Sequence, residues 1–305
     1  MLRRRPILLI VGFLTACAAF AQDTGHYPFE PIGSRETAMG GATAAMSASP
    51  ASMYHNPASL VWHKIAIGAG GQPYSTDLNK LFRSWWVHLY NENTTYNVPF
   101  AMVLQGWDEP GPNRNAMIGL PIAYGYNPRV PAAVHLKWGW ERKLGGEWVG
   151  QPLADLGFLA RVYSGFTMGL VLRNLTWEKH RLNTMQQRYD FGVQYGGGPI
   201  TLSFATRLRE WDDFKSIDEK WRWGMEIVPG GILSFRGGYA ESEADRWYTG
   251  GVGLRARGGE STTGSTTFDV GPSALAPFEF NYSLVYRESD AQITHFISYV
   301  YFVPN

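Results

Sequence analysis

Stretches of about ten residues in which apolar and polar side chains alternate recur along the chain, most clearly between Gly165 and Tyr239. Phe166, Met168, Leu170 and Leu172 interleave with Thr167, Gly169, Val171 and Arg173. Tyr189, Phe191, Val193 and Tyr195 interleave with Arg188, Asp190, Gly192 and Gln194, and Trp221, Trp223, Met225 and Ile227 with Arg222, Gly224 and Glu226. A period of two places one set on each face of a strand. The pattern predicts strands near 61–70, 82–90, 98–107, 117–126, 132–141, 154–163, 166–175, 187–196, 199–208, 219–228, 231–240, 247–257, 278–287 and 292–302, 14 in all. Two regions fit less well: Trp85-Trp86 breaks the alternation in 72–98, and 258–277 offers an extra strand around 266–270.

The joins alternate in kind. Ser164-Gly165, Gly196-Gly197-Gly198 and Pro229-Gly230-Gly231 are tight turns that use glycine where positive φ is needed. Segments 176–186, 209–218 and 241–246 are longer and more charged. Short turns facing the periplasm and longer loops facing outward, with an even strand count, describe an all-β, 14-stranded antiparallel transmembrane β-barrel. A soluble β-sandwich also shows one apolar face per strand. Its strands average about five or six residues, however, half the length read here. Trp221, Tyr239, Tyr248, Tyr286 and Tyr301 also stand at or near strand ends, where lipid head groups would lie.

Residues 22–60 read differently, being rich in Ala, Gly, Ser, Met and Pro. The division is therefore 1–21 signal peptide, 22–60 plug-like segment and 61–305 barrel. The signal carries Arg3-Arg4-Arg5, an apolar core over 6–14 and Ala19-Phe20-Ala21 as a cleavage site. That core is too short to cross a bilayer as a helix. Leu14-Thr15-Ala16-Cys17 offers a competing lipobox reading, with Cys17 lipidated instead of cleavage after Ala21. Cys17 is the one cysteine, which excludes a disulfide framework. A formal charge of +1 without a basic stripe argues against nucleic acid as a partner.

With the apolar faces turned to lipid, the charged set faces inward: Lys137, Arg161, Arg173, Arg188, Asp190, Arg207, Arg222, Glu226, Arg236, Arg255, Glu279 and Arg287. Arg or Lys on the lipid side at mid-plane would cost roughly 2–4 kcal/mol each. Inside, these charges hydrate or pair, giving either a positively lined path or an ordinary polar interior. This inward set lacks an apolar pocket, which disfavours a channel for hydrophobic solutes.

Gly33, Arg35, Met39, Gly40, Gly41 and Ala42, followed by Asn56, Pro57 and Ala58 in Tyr54-His55-Asn56-Pro57-Ala58-Ser59-Leu60, resemble the start of PorV/PorQ-family proteins, within the wider FadL-like group of outer-membrane barrels. Tyr189-Asp190-Phe191-Gly192-Val193 and Thr249-Gly250-Gly251-Val252-Gly253 look like strands of that family. The resemblance implies a 14-stranded barrel in the bacterial outer membrane, whose N-terminal segment enters the lumen. It also implies a part in type IX secretion, with translocon subunits and secreted cargo proteins as partners. Two alternatives stand beside it: FadL-like passive transport of small hydrophobic molecules, and a purely structural barrel. Within the plug, Arg35 could pair with Glu226 or Glu279.

Catalytic chemistry is not visible. His26, His55, His63, His88, His135, His180 and His295 are scattered, with no metal-ligand spacing and no nucleophile turn beside them. Asp212-Asp213 and Asp218-Glu219 suit a charged outer loop better than a calcium site. The expectation is a non-enzymatic protein with no cofactor and no metal.

Overall fold

The computed structural model describes residues 33–302 except 47–48, 50, 64–65, 74–81, 92–97, 109–113, 144–145, 164, 178–180, 183–184, 186, 210–219, 243–244, 257–277 and 290. The signal peptide, Cys17, His26, His180, the acidic pairs of loop 209–218 and the possible strand at 266–270 all lie outside the described residues.

Two short helices, α1 (Ser34–Ala38) and α2 (Ser52–His55), and a 3-10 turn at Pro57–Trp62 precede the sheet. Fourteen strands follow: β1 (Ala66–Pro73), β2 (Phe82–Asn91), β3 (Phe100–Asp108), β4 (Arg114–Tyr124), β5 (Ala132–Arg142), β6 (Trp148–Tyr163) and β7 (Phe166–Leu175), then β8 (Arg188–Gly197), β9 (Ile200–Arg209), β10 (Lys220–Ile227), β11 (Leu233–Glu241), β12 (Arg246–Ala256), β13 (Phe278–Arg287) and β14 (Gln292–Phe302). Each is antiparallel to its neighbours, and β1 pairs with β14 from Ala66↔Phe302 to Gly71↔Ile297, so the sheet closes on itself. Closure leaves no edge strand, and every ladder can satisfy its backbone polar groups internally, as the hydrocarbon region demands.

Alternation decides which side chains meet lipid. Ile67, Leu89, Met102, Leu136, Leu170, Leu202, Trp223, Phe235 and Tyr299 are all exposed on the outer face. An apolar belt of this extent is incompatible with water and is covered by acyl chains. Tyr239, Tyr248 and Tyr286 form a ring ladder across three strands at one rim, with centroids 5.4 and 6.3 Å apart. Tyr301 stands at the far end of its strand, toward the opposite rim. No helix among the described residues is long and apolar enough to cross a membrane; the strands make the crossing.

Two strand starts and one irregularity depart most from the sequence reading. The strand expected at 61–70 starts at Ala66, because Asn56 caps and Pro57 opens a 3-10 turn that carries Val61 and Trp62. The helical segment thus extends past residue 60. The strand expected at 154–163 begins six residues earlier, at Trp148, where Gly150 and Pro152 masked a pairing with β5. Trp85-Trp86 does not break the alternation: Trp85 is exposed, whereas Trp86 is buried on the inner face.

Candidate functional site

The inner surface has two unlike halves. Strands β7 to β13 supply the charges, organised around three carboxylates. Glu226 accepts hydrogen bonds from Arg236 Nε at 2.8 Å and Arg35 Nε at 2.9 Å, with Arg255 at 4.0 Å. Beside it, Glu279 accepts from Arg236 Nη2 at 3.4 Å and pairs with Arg255 Nε at 3.5 Å. Asp190 accepts from Arg173 Nε at 2.5 Å and Arg207 Nε at 2.6 Å. These groups are compensated, which is what allows burial of ions that would otherwise cost several kcal/mol each.

The same charges grip the N-terminal segment, whose described residues between 33 and 62 are almost wholly buried against the inward faces of the strands. Arg35 reaches Glu226, and Arg222 Nη1 donates to the Gly41 carbonyl at 3.2 Å. Arg173 donates from Nη1 to the Tyr54 carbonyl at 3.0 Å and from Nη2 to that of His55. Arg161 lies 4.0 Å over the Trp62 ring. Arg188 is half-buried on the inner face in register with Arg173, and Arg287 turns to Asp245 at the rim.

Between these grips the segment runs along a track of inward glycines, one on nearly every strand from β12 to β7. A Cβ on Gly251 would come within 2.7 Å of Ala38, on Gly238 within 2.2 Å of the Gly40 nitrogen, and on Gly224 within 2.5 Å of the Met39 carbonyl. On Gly169 it would meet the Ala44 carbonyl at 2.0 Å. Ala205 on β9 packs with Ala42 and Ala44. Gly40 and Gly41 have φ of 65° and 69°, a conformation that carries the chain across the strands and that L side chains rarely adopt. Asn56 ends the crossing: its Nδ2 donates to the Ala44 carbonyl at 2.7 Å and to Phe158 at 3.1 Å, and its Oδ1 accepts from Ala58 N.

Strands β1 to β6 present a different surface. Trp86, Tyr90, Ala101, Val103, Met117 and Leu153 are buried inward-facing residues that form one apolar cluster with Met53, Tyr54 and Leu60 of the N-terminal segment. Leu182 and Met185, from the loop after β7, join it. The expectation of an interior without an apolar pocket is therefore corrected: a cluster of buried apolar side chains lines part of the inner wall, among polar residues such as Gln105, Asn115 and His135. Charged residues occur in this part too: Glu141 is buried on β5, Arg161 of β6 lies over Trp62, and Asp155 receives Lys137 Nζ at 2.6 Å and the Asn174 backbone N–H at 2.7 Å. Asn174 holds φ at 53°, which asparagine tolerates, beside a register shift between Ala154 and Leu156.

Gly33, Arg35, Met39, Gly40, Gly41, Ala42, Asn56, Pro57 and Ala58, singled out in the sequence, are all buried on the inner side of the barrel. The inward charged set lies on the opposing wall. Sequence reasoning missed Trp86, His88, Asp155, Thr249 and the glycine track. Thr249 is the polar clasp of that track: its hydroxyl donates to the Ala38 carbonyl at 2.8 Å and accepts from Gly40 N at 3.1 Å. No cluster of metal-ligating side chains occurs among the described residues.

No family model matches the chain, and no curated protein matches it. Solved structures do. The CymD monoaromatic hydrocarbon channel aligns at 14% identity over 92% of this chain and 100% of its own, with a TM-score of 0.65. The toluene transporter TbuX of Ralstonia pickettii aligns at 12% identity over 91% and 100%, TM-score 0.66. A FadL homologue of Pseudomonas aeruginosa aligns at 10% identity over 90% and 98%, TM-score 0.53. The fold is that of these channels. At such identities the likeness establishes architecture alone, and it lends no support to PorV/PorQ membership or to a part in type IX secretion.

Proposed function

We propose that the protein is a non-enzymatic outer-membrane channel for the passive passage of small hydrophobic molecules. The carrying observation is the apolar cluster on the inner wall, where Trp86, Val103, Met117 and Leu153 come from β2, β3, β4 and β6. A barrel that only stored its plug, or only bound charged partners, has no need of such a surface. Water-filled barrels have polar interiors, and apolar inward side chains are favourable only where they meet apolar matter. Here the N-terminal segment covers them in the closed state. The shared fold with channels described as carrying monoaromatic hydrocarbon and toluene supports the same reading.

The test is entry of radiolabelled toluene into proteoliposomes containing the full barrel. Faster equilibration than in protein-free vesicles, together with unchanged glucose exclusion, is the expected result. Equal rates in both preparations would refute the assignment.

A further inference from the structure

One aromatic cluster on the apolar wall carries the functional reading further, and the inference rests on that reading. Trp86 and His88 are successive inward residues of β2, and their rings stack with centroids 5.1 Å apart and planes 10° apart. The imidazole covers Gly68, where a Cβ would meet it at 2.5 Å. His88 is 1% exposed, and among the described residues neither ring nitrogen has a hydrogen-bond partner. Imidazole always carries at least one N–H donor, and its neutral form also one acceptor; leaving both unmade in a dry site costs stability that phenylalanine would not. The position therefore calls for an explanation beyond packing.

Tyr54 of α2 covers the pair. Its ring stands edge-on to Trp86 at 5.9 Å and tilts over His88 at 6.0 Å. Its hydroxyl donates to the Val87 carbonyl at 2.8 Å. The chain thus seats its own phenol on a stacked indole and imidazole, and still leaves the imidazole nitrogens unused.

We infer that the Trp86–His88 surface is a binding site for small aromatic alcohols of the phenol type, with Tyr54 as the internal occupant that such a solute displaces. The solute ring takes over the contacts of the Tyr54 ring. Its hydroxyl can donate to the Val87 carbonyl as that of Tyr54 does, or, free of the backbone tether that fixes the Tyr54 ring, turn to the His88 imidazole that Tyr54 leaves unused. A plain hydrocarbon ring satisfies neither. Only the Tyr54 side chain has to swing, because Arg173 holds the carbonyls of Tyr54 and His55 and not their side chains.

The test is equilibrium binding of radiolabelled p-cresol and toluene to the full-length barrel in detergent. The first is the tyrosine side chain as a free molecule; the second lacks only the hydroxyl. Wild type is expected to prefer p-cresol about tenfold, since a site with waiting polar groups rejects the analogue that cannot use them. Removing the internal competitor in Tyr54→Ala should tighten p-cresol binding about tenfold. His88→Phe keeps the ring stack without the nitrogens and should reduce the preference to roughly twofold or less. Folding of each variant is checked by heat-modifiable migration in gels. If His88→Phe does not fold, Tyr54→Phe serves in its place, with p-cresol affinity expected between wild type and Tyr54→Ala. Equal affinities in wild type, an undiminished preference in folded His88→Phe, or no tightening in Tyr54→Ala would each overturn the site. Toluene entry into vesicles without any p-cresol preference would overturn this inference alone, whereas entry and binding of neither solute would overturn the channel reading too.

Discussion

Neighbouring glycines at 237 and 238 show how much one atom's direction matters in this wall. Gly238 points inward, and a Cβ there would meet Gly40 N at 2.2 Å and the Met39 carbonyl carbon at 2.5 Å, both backbone atoms that cannot swing aside. Gly237 points to lipid, where the nearest atom to a Cβ would be 3.9 Å away. Gly238→Ala should therefore cost about 1–3 kcal/mol through overpacking, while Gly237→Ala should stay within about 0.5 kcal/mol of wild type. Urea titration of both variants in detergent micelles checks the pair, and equal losses would contradict the track. A second residue acts at the rim. In the loop after β11, burial opposes ionisation of Asp245, but hydrogen bonds from Arg287 and Ser289 prevail and hold its carboxyl below the ordinary carboxylate range. That stabilisation is complete above the unfolded value of about 4 and is lost as pH falls through the depressed folded value. Asp245→Asn should thus lower stability by about 1.5–3 kcal/mol at neutral pH and converge with wild type in strong acid, as measured by thermal unfolding across pH.

At the level of elements, the grip of the wall on α1 is one buried ion pair shared with a second arginine. Glu226 is held by Arg35 and Arg236 together, so removing Arg35 leaves Glu226 still compensated, whereas removing Glu226 strands Arg35 and leaves Arg236 with Glu279, at 3.4 Å, as its carboxylate. Arg35→Ala should cost about 3 kcal/mol and Glu226→Ala more, near 5 kcal/mol. A double-mutant cycle read by protease cleavage within 33–62 should find the two changes strongly non-additive. The fourteen strands were legible because outward residues such as Leu170 and Phe191 alternate with polar or small ones. The N-terminal segment stood apart from the strands through the Met39-Gly40-Gly41-Ala42 and Asn56-Pro57-Ala58 pair. The apolar wall stayed hidden because in β2 and β3 the inward residues Trp86, Tyr90, Ala101 and Val103 are as apolar as their outward neighbours, so the period of two fades where that wall begins. A strand apolar on both faces inside an otherwise alternating barrel is the signal that could have located that wall. The glycine track hid for another reason. Within a strand, Gly224 and Gly238 read as weak points until the backbone crossing them is known.

Across the whole molecule the N-terminal segment has two attachments of different consequence. Its first part, residues 33–45, lies over the charged wall of β7 to β13, where opening a gap would expose paired ions. Its second part, 51–62, covers the apolar wall of β1 to β6, and Arg173 is the bolt at that end through the carbonyls of Tyr54 and His55. Arg173 also neutralises Asp190, but Arg207 remains there as a second partner at 2.6 Å, so its loss does not leave that carboxylate unpaired. If apolar solutes pass along the apolar wall, the two bolts should not be equivalent for transport. Arg173→Ala gives up charge-assisted hydrogen bonds of about 1.5–3 kcal/mol and should raise the open fraction, and with it toluene permeability, by about tenfold or more. Arg35→Ala should loosen the segment comparably in proteolysis yet change toluene entry little, showing instead a rise in ion conductance through the charged half. Planar-bilayer conductance and vesicle uptake, measured on both variants, separate the two effects. Equal gains in toluene entry from both would mean that the two walls do not form separate paths and that the apolar half is covered for packing alone.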